Sequence, residues 1–274
     1  MNKLLTPFTQ DGKFLMFAID HRGSFLKNIN PEHPETVTTD EVIEVKKEML
    51  DALREDYSAV LIDPEYGLPA LHHKQKPYLL CIEKTGYTDA SGERVTELEF
   101  TVESLKTMGA AGVKMLVYFH PQAKTAQYQM DLAKKVLEEA HKFDMPLFLE
   151  IVTYDIPNAN NHKPELVLDS VNMFLEAGVR ADVFKLEFPG DPVACFQITK
   201  VLKDIPWILL TKGVNYHKFK TQLETAVNGG AKGFLAGRAL WQEFSNYPKA
   251  QWASFFQNTA RARFQEISKV VSHP

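Results

Sequence analysis

Eight short apolar segments, most of them separated by stretches of helical periodicity, limit most strongly what this chain can fold into. Such segments, rich in β-forming residues and closed by glycine, proline or a charged residue, are typical of buried strands. The predicted strands are residues 13–20, 58–63, 78–84, 112–118, 146–152, 182–190, 207–213 and 233–238. The predicted helices are residues 42–53, 102–108, 125–143, 165–176, 193–202 and 218–227.

The order of these segments favours a parallel sheet with right-handed crossovers, and eight strands are the number that closes a (β/α)8 barrel. An open doubly wound sheet is the alternative. No G-x-G-x-x-G follows the first predicted strand, so the dinucleotide fingerprint of many such sheets is missing. The sequence shows no linker and no short repeat. It therefore predicts an α/β fold, a single-domain (β/α)8 TIM barrel over residues 1–274.

Composition excludes several classes of function. The chain is 45% hydrophobic and 24% charged, which is ordinary for a globular protein with a large core. A net charge of −4 gives no electrostatic case for binding nucleic acid. The two cysteines have no C-x-x-C spacing, so we expect neither a zinc site nor a disulfide framework. No cluster of His, Cys and Asp has the spacing of metal ligands, so we expect no metal and no cofactor. No signal peptide or membrane-spanning stretch is visible, and we expect a cytoplasmic protein.

The sixth predicted strand contains a lysine that needs an explanation. Alternation places Lys185 on one face with Val183 and Glu187, whereas Phe184 and Leu186 lie on the other. An unpaired ammonium is costly to bury. Lys185 either forms an ion pair with a neighbouring carboxylate or loses its proton and becomes an amine nucleophile for Schiff-base chemistry. This strand alone does not decide between the two, although ion pairs are the commoner case.

Polar residues late in the other strands favour the second explanation, because the active sites of such barrels lie at the C-terminal ends of the strands. We expect four of them to converge: Asp20, Lys114, Glu150 and Lys185. Two lysines and two carboxylates balance charge while one amine stays neutral, and Lys114 is the cation that would disfavour an ammonium at Lys185. Glu187 is expected to lie lower in the barrel and only to balance charge. The remaining late polar residues are Asp63, Glu65, Glu83, Thr211 and Arg238.

The ends of the seventh and eighth strands predict a phosphate site. They carry Lys212-Gly213 and Gly237-Arg238, respectively. Loops after these two strands often bind phosphate through backbone N–H groups, which glycine allows a ligand to approach. Motifs for serine hydrolases, zinc proteases and P-loop enzymes are absent from the sequence.

Six runs of residues resemble the tagatose-1,6-bisphosphate aldolase family, a group of class I, metal-independent (β/α)8 aldolases that also includes sulfofructosephosphate aldolases. The runs are 20–23 (DHRG), 63–70 (DPEYGLPA), 83–87 (EKTGY), 148–151 (FLEI), 184–187 (FKLE) and 237–241 (GRALW). The resemblance implies that Lys185 forms the Schiff base, Glu150 shuttles protons, and Asp20 and Lys114 position or polarise the substrate. It also implies a phosphate held by Thr211, Gly213, Gly237 and Arg238, to which we add Arg22 and Lys212 as substrate-binding residues.

The chain departs from this family at two points that concern the substrate. His21 stands where tagatose aldolases carry glutamine, and residues 233–238 are closer to the sulfosugar enzymes. Both departures concern the far end of the substrate, away from the lysine.

The expected reaction is the reversible cleavage of a ketose phosphate, such as tagatose 1,6-bisphosphate, to dihydroxyacetone phosphate and an aldehyde. The alternatives are a sulfofructosephosphate aldolase, which gives sulfolactaldehyde, a transaldolase-like transferase, and a sugar-phosphate sensor without catalysis. The expected partner is a small sugar phosphate, with neither nucleic acid nor membrane, and a homo-oligomer is left open.

Overall fold

The strands of this chain close into a barrel in the computed structural model, which describes residues 3–72, 76–90 and 92–273. Each barrel strand pairs in parallel with its neighbours along the chain, and the last pairs with the first. The prediction of a (β/α)8 barrel is therefore confirmed. The barrel strands are β1 Phe14–Ala18, β2 Ala59–Ile62, β3 Tyr78–Cys81, β4 Gly112–Phe119, β5 Leu147–Thr153, β6 Val183–Leu186, β7 Trp207–Leu210 and β8 Gly233–Ala236.

Helices cover the outside of the barrel. Several begin where the sequence provides a capping side chain; Thr38, for example, accepts a hydrogen bond from the backbone N–H of Glu41. None of the helices in the described ranges is long and apolar enough to cross a membrane. The α-helices are α1 Gly23–Ile29, α2 Thr39–Leu53, α3 Gly67–Ala70, α4 Val102–Thr107, α5 Ala126–Lys142, α6 Lys163–Glu176, α7 Pro192–Leu202, α8 Tyr216–Asn228, α9 Arg238–Trp241, α10 Trp252–Ser254 and α11 Arg261–Ser272.

Shorter elements complete the fold. In the described ranges, 3₁₀ helices are formed by Lys3–Phe8, Pro34–Thr36, Gln242–Asn246 and Lys249–Gln251, and a π-helix, Phe255–Ala260, joins α10 to α11. A small antiparallel hairpin of Thr88–Ala90 and Glu93–Val95 lies in the connection between β3 and α4.

The lower half of the barrel interior is apolar. Inward-facing side chains from seven of the eight strands form one buried cluster, and Leu5 and Phe8 of the first 3₁₀ helix belong to it. The outward faces of the strands pack against the helices in a second, larger cluster. Val183 belongs to the inner cluster and Phe184 and Leu186 to the outer one, which confirms the predicted alternation of β6. Polar side chains at the C-terminal ends of the strands therefore stand on an apolar floor.

A buried lysine holds the end of β1 to α2. Lys46 is 0% exposed and donates hydrogen bonds to the carbonyl oxygens of Ile19 (2.8 Å) and His21 (2.9 Å) and to the Asp63 carboxylate. The Asp63 carboxylate also accepts the N–H of Tyr66 at 2.7 Å. All three ammonium protons are thus used, and the two carbonyls that flank Asp20 are fixed.

Replacement of Lys46 by methionine should destabilise the protein by about 3–5 kcal/mol, because Asp63 would keep a buried charge without its cation. Urea unfolding measures this change. The neighbouring variant Lys47→Met is the matched control, since Lys47 forms an exposed ion pair with Asp51, and its unfolding midpoint should hardly move. Equal midpoints for the two variants would show that Asp63 does not need Lys46.

Candidate active site

A cavity of about 450 Å³ opens at the C-terminal ends of the strands. Nine of the ten predicted site residues line it, and the tenth, Gly213, lies against one of the nine, Arg238. The structure therefore brings the predicted set together, while the role of each residue remains a prediction. The nine lining residues are Asp20, Arg22, Lys114, Glu150, Lys185, Thr211, Lys212, Gly237 and Arg238.

Lys185 and Glu150 form an ion pair on the cavity floor. They are register partners on the adjacent strands β6 and β5, and both are buried. The Lys185 Nζ donates to Glu150 Oε2 at 2.8 Å. The same carboxylate oxygen lies 3.0 Å from the Nζ of Lys114. Lys185 thus has the ion-pair partner that its burial requires, and that partner is also a group able to carry protons to and from the amine.

Lys114 is surrounded by carboxylates. Its Nζ lies 3.1 Å from Asp20 Oδ2 and also contacts the carboxylates of Glu83 and Glu150. Burial lowers the pKa of Lys114, but attraction by these three carboxylates outweighs burial and raises the pKa well above its ordinary value. Lys114 is therefore a permanent cation in the cavity.

Glu83 is the residue of this cluster that the sequence did not assign to the site. It follows β3, whose Cys81 is the register partner of Lys114, and its Oε2 accepts the N–H of Leu116 at 3.1 Å. Burial raises the pKa of Glu83. The pKa of Asp20 is also raised by burial, but Lys114 lowers it more, and the net shift is strongly downward. The position of Glu83 directly after a strand was the signal available in the sequence. Only the pairing of β3 with β4 shows that Glu83 faces Lys114.

His21 and Arg22 line the cavity directly after Asp20. Burial is the main reason why the pKa of His21 is lowered to about 4, so its ring is neutral near pH 7. The ring packs edge-on against Trp241 at 5.1 Å. Arg22 donates to Glu99 Oε2 at 2.5 Å and to the carbonyl oxygen of Glu83 at 2.8 Å. Arg22 therefore reaches a substrate only with the N–H groups that these contacts leave.

The loop after β7 has the geometry of a type I′ turn. The N–H of Val214 donates to the carbonyl oxygen of Thr211 at 3.1 Å, and φ is +44° at Lys212 and +73° at Gly213. A Cβ on Gly213 would lie 3.1 Å from the Cζ of Arg238, so the turn packs tightly on the guanidinium. The Arg238 Nε is buried without a partner in the described ranges. A donor and a close glycine backbone thus meet where phosphate binding was predicted.

Glu187 does not lie lower in the barrel, and that expectation was wrong. Parallel strands run toward the site, so a residue two positions after Lys185 lies nearer the mouth. Glu187 is buried and accepts hydrogen bonds from the N–H (2.8 Å) and Oγ1 (2.6 Å) of Thr153. It forms ion pairs with Lys163 and Lys212.

No group of three or more His, Cys, Asp or Glu side chains in the described part of the chain has the arrangement to hold a metal ion. The carboxylates on the cavity floor form ion pairs with lysines. Metal-free chemistry stays a prediction.

Comparison with known proteins gives concordant matches. The DeoC/LacD family aldolase model matches residues 14–243. The tagatose 1,6-diphosphate aldolase of Staphylococcus haemolyticus is 32% identical, with 85% of this chain and 82% of that protein aligned. The enzyme of the same name from Lactococcus lactis subsp. lactis is 30% identical, with 96% and 92% aligned.

Solved structures match the whole barrel. A Schiff base forming fructose-1,6-bisphosphate aldolase is 22% identical with a TM-score of 0.69, and 98% of each chain is covered. An archaeal fructose 1,6-bisphosphate aldolase is 21% identical with a TM-score of 0.71, covering 99% of this chain and 98% of that one. At these identities the structures support the fold.

Proposed function

Because this chain belongs to the DeoC/LacD family of aldolases, we propose that it is a class I aldolase that forms a Schiff base through Lys185 and reversibly cleaves a ketose phosphate. One observation carries the proposal. A buried lysine amine lies 2.8 Å from a carboxylate, and a second, permanently charged lysine lies 3.0 Å from that same carboxylate. The group thus provides a nucleophile, a proton carrier and a fixed cation within one cavity.

The proposed reaction begins at the substrate ketone. Glu150 first takes a proton from the Lys185 ammonium, and the neutral amine then attacks the carbonyl carbon. A proton passes from the nitrogen to the oxygen to give the carbinolamine. Protonated Glu150 returns its proton to that oxygen, which leaves as water, so the iminium forms and Glu150 is again a carboxylate. The resulting iminium accepts the electron pair of the C3–C4 bond when that bond breaks, while Glu150 or a nearby group takes the proton of the C4 hydroxyl. The aldehyde leaves, and the enamine is protonated and hydrolysed to dihydroxyacetone phosphate and free Lys185.

The other residues of the cavity bind and orient. Lys114 donates to substrate oxygen atoms near the bond that breaks, and Asp20 holds Lys114 in place at 3.1 Å. At the opposite side of the cavity a phosphate is held by Arg238 and the turn after β7, and Arg22 contacts the far end of the substrate. The residues proposed for phosphate binding are Thr211, Lys212, Gly213, Gly237 and Arg238.

The proposed substrate is tagatose 1,6-bisphosphate, because two relatives at 30% identity or more carry that activity in their names. Turnover of tagatose and fructose bisphosphates, their monophosphates and sulfofructose phosphate tests this choice. We expect cleavage of tagatose 1,6-bisphosphate without an acceptor aldehyde. Turnover that requires an acceptor would indicate a transferase, preferential cleavage of sulfofructose phosphate would assign the sulfosugar, and no turnover of any of them would reject the proposal.

Replacement of Arg238 by alanine should weaken the binding of dihydroxyacetone phosphate by about 1.5–3 kcal/mol, the range for hydrogen bonds to a charged group. Unphosphorylated dihydroxyacetone, which lacks the anion, should bind equally to both proteins. Calorimetric titration with the two ligands measures this difference. Arg261→Ala is the matched control, because Arg261 pairs with Asp56 on the outer surface. If Arg238→Ala weakens both ligands alike, Arg238 supports the fold of the loop and does not bind phosphate.

A further inference from the structure

Two lysines share one buried carboxylate beside the cavity. Glu187 is 1% exposed, and the Nζ of Lys212 lies 2.5 Å from its Oε2. Lys163, the first residue of α6, contacts the same oxygen. The other oxygen, Oε1, already accepts two hydrogen bonds from Thr153. This Glu187 cluster therefore has one negative charge and two positive charges.

One lysine is enough to neutralise Glu187, and the contacts show which one is required. Lys163 also donates to the Oγ1 of Thr153 at 2.7 Å and does not line the cavity. Lys212 lines the cavity, and its side chain is 43% exposed. It also donates a hydrogen bond to the carbonyl oxygen of Thr153 at 3.2 Å. Lys212 can therefore leave Glu187 without stranding a buried charge, as long as Lys163 stays.

We propose that Lys212 moves from Glu187 to the phosphate of the bound substrate, and that Lys163 is a positioning residue that keeps Glu187 neutralised during this exchange. The inference rests on the proposed function, since its ligand is the phosphate of dihydroxyacetone phosphate. It assigns a role to Lys163 and Glu187, which lie outside the predicted site.

The backbone supports an exchange at this phosphate. Lys212 and Gly213 are the two central residues of the type I′ turn, and Gly213 packs on the guanidinium of Arg238. A lysine at positive φ is strained, and asparagine or glycine would largely avoid this strain. The turn thus carries a strained residue whose ammonium lies at the cavity wall next to the predicted phosphate position.

The charge on Lys163 is consistent with crowding of the two ammonium groups. Burial is the largest cause that lowers the pKa of Lys163 to about 8, Glu187 opposes the shift, and Lys212 adds to it. Departure of Lys212 to an anionic ligand would remove that repulsion. The cluster is therefore less crowded when Lys212 binds phosphate than when both lysines contact Glu187.

The test is a double-mutant cycle on the affinity for dihydroxyacetone phosphate, with dihydroxyacetone as the matched ligand without phosphate. In Lys163→Met, Glu187 depends on Lys212 for its neutralisation, so dihydroxyacetone phosphate should bind about tenfold more weakly and dihydroxyacetone should bind as before. In a Lys212→Met background, Lys163→Met should cause no further loss. Lys220→Met, which removes a lysine paired with Glu266 on the outer helices, is the control and should change neither affinity.

Glu187→Gln is a second check with the opposite sign. It removes the competitor for Lys212, so dihydroxyacetone phosphate should bind at least as tightly as it does to the wild-type protein. The inference is overturned if Lys163→Met has no effect, if its effect is equal in both backgrounds or for both ligands, or if Glu187→Gln weakens binding. Borohydride trapping on the wild-type protein separates failure of the proposed function from failure of the exchange. Absence of an adduct on Lys185 rejects the proposed function. If the adduct forms but the effects of Lys163→Met and Lys212→Met are additive, only the exchange is rejected.

Discussion

Replacement of Lys185 by methionine should lower kcat for ketose phosphate cleavage by at least about 10⁴-fold, because it removes the nucleophile on which every later step depends. The side chain keeps a similar length, and Glu150 keeps Lys114 as a partner at 3.0 Å, so no buried charge is left unpaired. Single-turnover cleavage measures the change.

The control for this variant is ligand binding. Dihydroxyacetone phosphate should still bind to Lys185→Met, since Arg238 and the turn after β7 are unchanged. A kcat within about tenfold of the wild-type value would show that Lys185 is only an ion-pair partner of Glu150.

Replacement of Lys114 by methionine should shift the acidic limb of iminium formation to higher pH by about one unit or more. Lys114 contacts Asp20, Glu83 and Glu150, and these carboxylates would then face Lys185 as the remaining lysine of the floor. Uncompensated negative charge favours the ammonium over the neutral amine. A higher pH is therefore needed before the amine can attack the ketone.

The rate of borohydride-trappable iminium formation, followed against pH, measures this shift and avoids the role of Lys114 in the cleavage step. Lys84→Met is the matched control, because Lys84 lies at the exposed mouth of the cavity and pairs with Glu97 at 3.5 Å. Its limb should stay in place. If the acidic limb of the pH–rate profile stays in place or moves to lower pH in Lys114→Met, Lys114 does not favour the neutral amine of Lys185.

The barrel was predictable because each strand repeats the same apolar pattern and the same order of strand and helix. Six of the eight strands end earlier than predicted, whereas β4 and β5 each end one residue later. β6 ends at Leu186, before Glu187, and β1 ends at Ala18, before Asp20. The side chain of Glu187 accepts a hydrogen bond from the N–H of Thr153, and that of Asp20 forms an ion pair with Lys114 at the site. The hairpin of Thr88–Ala90 and Glu93–Val95 was missed, since its short polar strands lack an apolar alternation.

The convergence of Lys185, Glu150, Lys114 and Asp20 was predictable because all barrel strands point toward one end. The partners of these residues were not. Lys46 falls on the apolar face of α2 with Val42, Val45 and Met49, but the helix pattern does not name Asp63 as its counter-ion. Lys163 lies at the start of a helix, and only the packing of α6 on the barrel brings it to Glu187.

The most direct measurement of the central claim is the site of borohydride trapping with dihydroxyacetone phosphate. Reduction should inactivate the enzyme and add one three-carbon phosphate adduct per chain, and peptide mass spectrometry should find it on Lys185. Lys185→Met should give no adduct under the same conditions. An adduct on Lys114 or Lys212 would reassign the nucleophile, and the absence of any adduct from an active wild-type enzyme would contradict Schiff-base chemistry.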